Sequence, residues 1–309
     1  MSLRRVADFF GVRVDDLWGE HLGVPARPRR DRSLVKWTGS KRLQAPQIVA
    51  HFPRKIATYH EPFLGSGAVL FELLGSDIGV KRFRCSDTCA PLIGIWEMVR
   101  CEPDVLLKRY EEMWAEVRRG GAKFYYEVRA SFNRSQDPIQ FFFILRTCRN
   151  GLVRFNKKGP FTTGFHHGRS GVEPREVHAL LQGWTQRLAG RDIRFEVKDY
   201  REVRSRPGDL LFVDPPYDVP DPEIYSGVID IDMLFDWLGR QRGGYVVTLN
   251  GFVGGEDRRL AVPPHLYDEH LQLEGRGNPL VPGGDRRVTD ALYLKLDGRS
   301  SLARHRHEA

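Results

Sequence analysis

The chain has 309 residues, 41% hydrophobic and 28% charged, enough apolar matter for one large domain with an insertion or for two medium ones, and too much for a disordered polymer. A formal net charge of +8 attracts polyanions, with nucleic acid as the leading partner class. Cys85, Cys89, Cys101 and Cys148 show no Cys-x-x-Cys pairing, and no apolar run nears the roughly 18 residues of a membrane span, so reduced thiols, a cytoplasmic location and no membrane partner are expected.

In chain order, Leu3, Val6, Phe9 and Phe10 fall at helical spacing before a turn at Gly11, with Asp15 as an N-cap for a second short turn. This stretch resembles the last helices of a repressor-type helix-turn-helix domain, but it is too short to hold the helix pair that reads a groove. A linker rich in arginine and proline follows over 24–33. From residue 34 the pattern alternates: a helix over 45–52, a strand over 57–59, a glycine turn, a helix through 70–74, a strand over 82–85 and a helix over 91–99. Residues 102–131 read as mostly helical and 133–175 as a loop-rich basic stretch. Strands return at 193–197, 210–213, 245–249 and 291–296.

The fold class expected is therefore α/β: a mostly parallel, Rossmann-like sheet with an inserted, mainly helical domain. The boundaries are 1–33 for the helical segment and basic linker, 34–101 with 190–300 for the main body, and 102–189 for the insert.

The first chemical motif is EPFLGSG, residues 61–67. A strand that runs into Gly65 and Gly67 and opens a helix lets a ligand approach the backbone closely. Leu70 stands where a dinucleotide fingerprint wants a third glycine, and no Gly-Lys-Ser/Thr follows, so phosphate cradling is not indicated. Asp87, at the end of the next strand, is placed to accept hydrogen bonds from ribose hydroxyls. Together the two features suit an adenosyl ligand without a polyphosphate.

The second motif, GDLLFVDPPYDV over 208–219, ends a buried strand at Asp214. In open α/β sheets ligands collect beyond the carboxyl ends of the strands, where Gly65, Asp87 and Asp214 all fall. The Asp214 carboxylate and the carbonyl of Pro215 supply two acceptors for the hydrogens of an exocyclic amine. Held so, the amine loses conjugation and becomes a nucleophile, while Tyr217 stacks on the flat base.

Taken together, KWTGSK (36–41), EPFLGSG, SDTCAPLIGIW (86–96), RNGLVRFNKKGPF (149–161) and VDPPY (213–217) resemble the DNA adenine methylase family, the class-alpha adenine-specific amino-methyltransferases. The resemblance implies a fold dependent on S-adenosyl-L-methionine, with Trp37, Lys41, Pro62, Gly65, Gly67, Asp87 and Asp214 at the cofactor site. Trp37 would pack near the cofactor, Lys41 would pair with its carboxylate and Asp87 would hold its ribose. Asp214, Pro215 and Tyr217 would form the catalytic cluster.

Between 146 and 169 the chain carries Arg146, Arg149, Arg154, Lys157, Lys158 and Arg169 with no acid, interleaved with Phe155, Phe161 and Phe165. Such a strip neutralises phosphates. In the family this segment belongs to the target-recognition domain, so the resemblance makes Arg149, Asn150, Leu152, Arg154, Asn156, Lys157 and Lys158 the DNA contacts, with Arg154 reading a base edge. Where relatives that methylate GATC continue Val-Pro-Phe-Gly-Arg, this chain has Thr163 to His167, which leaves the target sequence open. A later threonine- and tyrosine-rich loop and Ser-Asn strand end are also replaced, with Tyr225 and Asn250 as substitutes.

No metal is expected, because His166 and His167 lack a cysteine or carboxylate at ligand spacing. The expected activity is methyl transfer to the N(6) amine of an adenine flipped out of double-stranded DNA, and a cognate restriction endonuclease is a conceivable partner. The alternatives are cytosine N(4) or RNA base methylation, and a non-catalytic DNA-binding regulator.

Overall fold

The structure is a computed structural model that describes residues 33–168, 171–216, 229–253, 255–275 and 288–296. Its elements are α1 (Ala45–Ala50), β1 (Lys55–Glu61), α2 (Ala68–Gly75), β2 (Gly79–Asp87), α3 (Ala90–Cys101), α4 (Pro103–Ser135), α5 (Pro138–Thr147), α6 (Pro174–Leu188), β3 (Ile193–Val197), β4 (Leu210–Val213), α7 (Ile231–Gly239), β5 (Gly244–Val253), β6 (Glu256–Asp257), β7 (Glu269–Glu274) and β8 (Val288–Lys295). The helical segment expected over 1–33 lies outside the described residues apart from Ser33, as do Arg169, Tyr217 and Tyr225.

The strand order is β3-β2-β1-β4-β5-β8-β7, with β6 pairing beside β5. β1 to β5 run parallel, and β8 enters antiparallel between β5 and β7. The order reverses direction between β1 and β4, which is where open α/β sheets form a ligand crevice. The mostly parallel Rossmann-like sheet expected from the sequence is thus observed.

Alternation of side chains along each strand divides the core in two. Leu210 and Phe212 of β4, Val246 of β5 and Leu292 and Leu294 of β8 join the larger cluster, with α1 to α6. Leu211, Val213, Val247, Leu249, Ala291 and Tyr293 face the other way, against Trp237 of α7 and Tyr200. Every residue of β4 is buried, as a central strand covered on both faces requires. The inserted helices share the larger cluster with the sheet: Trp184 of α6 lies 4.5 Å from Trp96 of α3 and 4.9 Å from Phe71 of α2, centroid to centroid.

The loop expected over 133–175 begins later than the sequence suggests, because 138–147 forms α5. Asp137 caps it by accepting the Gln140 N–H at 2.8 Å, and Pro138 occupies its first turn. Phe141 to Thr147 are all buried, so α5 is covered around its circumference, and the unbroken apolar run Phe141 to Leu145 shows no amphipathic period to read. α7 likewise has no counterpart among the expected elements; Asp230 caps it through the Met233 N–H at 3.0 Å. The long α4 is interrupted at Gly121, whose φ of 56° and ψ of −137° are non-helical. No helix among the described residues is long and apolar enough to cross a membrane.

Candidate active site

Three neighbouring parallel strands deliver acids to one edge of the sheet. β1 ends at Glu61, β2 at Asp87, and Asp214 follows β4 directly. Since β1 lies between β2 and β4, these carboxyls surround the crevice at the reversal of strand order.

Gly65 and Gly67 turn the chain from β1 into α2 with φ of 48° and 62°, a left-handed region that costs other residues energy. A Cβ on Gly65 would sit 2.8 Å from the Trp37 ring, and one on Gly67 would sit 2.9 Å from Trp184. The turn is pinned from both sides. The Gly65 N–H donates to Asp87 Oδ2 at 3.1 Å, and the Trp96 indole N–H donates to the Gly65 carbonyl at 3.1 Å. The other Asp87 oxygen accepts the Cys89 N–H at 3.0 Å. Burial raises the Asp87 carboxyl above its ordinary range, against the backbone N–H bonds that lower it. Asp87 therefore shapes the glycine turn through both of its oxygens while bordering the crevice.

Asp214 is tied on one oxygen. Thr248 of β5 donates its hydroxyl to Oδ1 at 2.7 Å, and the Lys41 ammonium lies 2.9 Å from the same atom. Among the described residues both contacts fall on Oδ1, so Oδ2 is the acceptor left for a ligand. Burial pushes the Asp214 carboxyl up, and Lys41 and the Thr248 bond pull it back. Lys41 also lies 3.5 Å from Asp290 Oδ2 on β8 and 3.5 Å from the Gly39 carbonyl. Its ammonium thus has protein acceptors around it, where the resemblance implies a cofactor carboxylate.

A cavity of about 860 Å³ collects Trp37, Lys41, Gly65, Asp87, Asp214 and Pro215 on its walls. Pro62 and Gly67 are buried and are not among the residues on its walls. Trp37 packs edge-on against Phe141 of α5, 6.4 Å between centroids, which fixes it over the glycine turn. Tyr217 lies outside the described residues.

The cavity also exposes groups that the motifs do not single out. Glu61 opens EPFLGSG without a role of its own in the sequence reading; it is buried, accepts the Tyr59 hydroxyl at 2.8 Å, and burial pushes its carboxyl up to about 8. Asp199, just past β3, lines the wall as well. Its signal in the sequence is the one that marks Asp87 and Asp214, an acid at or beyond the end of a parallel strand.

The basic loop is built as a hairpin on the insert. Phe155 pairs with Phe161, and Asn133 of α4 holds Phe161 twice, accepting its N–H at 2.8 Å and donating to its carbonyl at 3.2 Å. Asn150 adopts φ of 56°, which asparagine tolerates better than most residues, and Asn156 closes the tip by accepting the Lys158 N–H at 2.8 Å. Arg149, Asn150, Lys157 and Lys158 are exposed, and Leu152, Arg154 and Asn156 half-buried. Their neighbours Val153, Phe155 and Gly159 line the cavity. The expected DNA contacts therefore share one loop that borders the site.

Three members of the strip belong instead to the core. Arg146 is 1% exposed, donates to the Leu34 carbonyl and lies 5.6 Å over the Phe142 ring; Phe161 and Phe165 are buried. The correction has a simple cause: Arg146 sits in the last turn of α5, whose whole surface is covered.

A glycine turn after β1, an acid ending β2, an acid-Pro-Pro corner after β4 and a sheet reversing between β1 and β4 define the class: a Rossmann-like α/β fold with its ligand crevice at the reversal of strand order. Residues 37–227 match the family model described as D12 class N6 adenine-specific DNA methyltransferase, and the chain belongs to that family. It is 28% identical over 195 residues to DNA adenine methylase of Escherichia coli K12, a match covering 61% of this chain and 66% of that protein. It is 33% identical over 208 residues to the type II methyltransferase M.MjaIII of Methanocaldococcus jannaschii, covering 60% of this chain and 69% of the relative. Among solved structures, the rRNA methyltransferase aviRa from Streptomyces viridochromogenes aligns at 13% identity and a TM-score of 0.39, over 85% of this chain and 90% of that one.

Proposed function

We propose that this chain transfers a methyl group from S-adenosyl-L-methionine to the N(6) amine of an adenine flipped out of double-stranded DNA. The observation that carries the proposal is that Gly65, Asp87 and Asp214, from three different strand ends, border one cavity. Its volume of about 860 Å³ is in the range of pockets that enclose nucleoside-sized ligands. The Gly65 turn gives the close backbone approach an adenosyl group needs, and Asp87 stands beside it as the acceptor for ribose hydroxyls. The family and the 28% identical Escherichia coli methylase support the choice of adenine in DNA.

When bound, S-adenosylmethionine supplies an electrophilic methyl that leaves sulfur as the amine's lone pair takes it. The protein contributes alignment and electrostatics. Asp214 Oδ2 and the Pro215 carbonyl accept the two hydrogens of the amine, drawing its lone pair out of the ring plane. The sequence motif assigns stacking on the base to Tyr217, which lies outside the described residues. The Asp214 carboxyl, held above its ordinary range by burial, suits acceptance of the proton the methylated amine sheds. Lys41 and Thr248 fix the orientation of that carboxylate.

The segment 102–189 serves as the target-recognition insert on the body formed by 34–101 and 190–300. Within it Arg149, Asn150, Leu152, Arg154, Asn156, Lys157 and Lys158 meet DNA next to the cavity. Extruding the base costs a few kcal/mol, which these phosphate and base contacts offset. A restriction endonuclease partner has no support and is not part of the proposal.

Mass spectrometry of nucleosides from DNA treated with the purified chain tests the activity. N(6)-methyladenine is the expected product. Methylcytosine alone, or methylation confined to RNA, would reject the adenine assignment; DNA binding without any transfer would favour a regulator.

A further inference from the structure

We infer that Asp290 is a positioning residue of this site, which shares the Lys41 ammonium with Asp214 so that the catalytic carboxylate is held in place without having its charge neutralised. The inference deepens the proposed function and rests on its assignment of Asp214. It starts from the sheet. β8 pairs with β5 so that Leu292 stands opposite Thr248 and Asp290 opposite Asn250. Residues two apart on a strand share a face, so Thr248 and Asp290 project on the same side of the sheet, one register step apart. Each meets one member of the Lys41–Asp214 pair: Thr248 donates to Asp214 Oδ1 at 2.7 Å, and Asp290 Oδ2 lies 3.5 Å from the Lys41 ammonium that touches that oxygen at 2.9 Å.

The balance of charge gives this geometry its use. A lysine paired with one carboxylate forms a neutral unit, and a neutralised carboxylate is a weak acceptor for an amine on which positive charge develops during methyl transfer. A second carboxylate on the same ammonium divides its positive charge, so less of it falls on Asp214. It does so in a place that is 15% exposed, where solvent screens it little. Glu61, buried on β1 and bonded to Tyr59, is pushed up by burial and in part by the Asp214 charge. How Lys41 is divided between the two carboxylates therefore bears on the acceptor strength of Asp214.

The test uses the full chain with Asp290→Asn, which keeps the shape and removes the charge, and Asp290→Glu, which restores the charge. Carbon-13 NMR of labelled aspartate, with the Asp214 signal assigned by its loss in Asp214→Asn, follows the titration of that carboxyl. In Asp290→Asn its midpoint should move to lower pH, because the repulsion from Asp290 is gone and Lys41 acts on Asp214 alone. The single-turnover methylation rate should fall by about tenfold or more while cofactor affinity changes less than about threefold, and Asp290→Glu should recover most of the rate. An unchanged Asp214 midpoint overturns the inference. So does a rate loss that Asp290→Glu leaves uncorrected, or one that tracks a fall in melting temperature. A wild-type chain that methylates no adenine would reject the function instead, and the Asp214 titration would still decide whether Asp290 shares Lys41.

Discussion

The Lys41 ammonium lies 2.9 Å from Oδ1 of Asp214, joining the segment that precedes α1 to the corner that ends β4. The pair gives the two oxygens of one carboxylate different roles, with Oδ1 anchored by protein donors and Oδ2 left for substrate. Asp214→Ala should therefore lower the methylation rate by on the order of 10²–10³ while DNA affinity stays within about threefold. Single-turnover kinetics alongside gel-shift titration check this, and an active Asp214→Ala chain would remove Asp214 from the chemistry.

Gly65→Ala addresses the cofactor turn. A methyl there would sit 2.8 Å from Trp37 on a backbone with φ of 48°, so the turn or the tryptophan must move. The expected cost is about 1–3 kcal/mol, and it should appear as weaker S-adenosylmethionine binding in calorimetry. Unaltered cofactor affinity would mean the turn does not touch the ligand.

The loop residues should divide by what they read. Arg154→Ala should cost about 1–3 kcal/mol and relax preference at one base position. Replacing Lys157 and Lys158 together with alanine should weaken all sequences alike and flatten the dependence of log K on log salt by about two. Binding measured across a salt series and a panel of duplexes separates these outcomes.

Arg146 should behave differently from its neighbours in sequence. Arg146→Met keeps much of its volume but strips the Leu34 carbonyl of a donor in a fully buried place. Melting temperature should drop, with a loss of about 1–3 kcal/mol, while the salt dependence of DNA binding keeps its slope. A flatter slope would return Arg146 to the phosphate surface.

Glu61 gives a pH prediction. Its folded-state value of about 8 lies above the ordinary carboxyl value of 4.5, so the folded chain holds a proton that the unfolded chain has released across that window. Its contribution is fully present below 4.5 and is lost as pH rises towards 8. Glu61→Gln, which keeps the neutral shape and cannot ionise, should melt with less pH dependence over that range and be the more stable form at its upper end. Melting curves at several pH values decide the matter; parallel curves for the two proteins would place the Glu61 proton elsewhere.

Much of this protein is legible in the sequence where a local rule acts alone. An apolar run such as Leu210 to Val213 must be a strand covered on both faces, and glycines after a strand must turn. Alternating strands and helices impose a parallel sheet whose carboxyl edge gathers Gly65, Asp87 and Asp214. Tertiary structure decided what depends on neighbours far away in the chain. α5 carries no amphipathic signal because it is surrounded, and Arg146 cannot be told from a surface arginine until its helix is packed. The partnership of Lys41, Asp214, Thr248 and Asp290 draws on four distant segments that meet only when β8 enters the sheet backwards beside β5. Backbone propensity acts over a few residues, whereas burial and charge act through space, so the sequence specified the sheet's edge and folding chose the company each side chain keeps there.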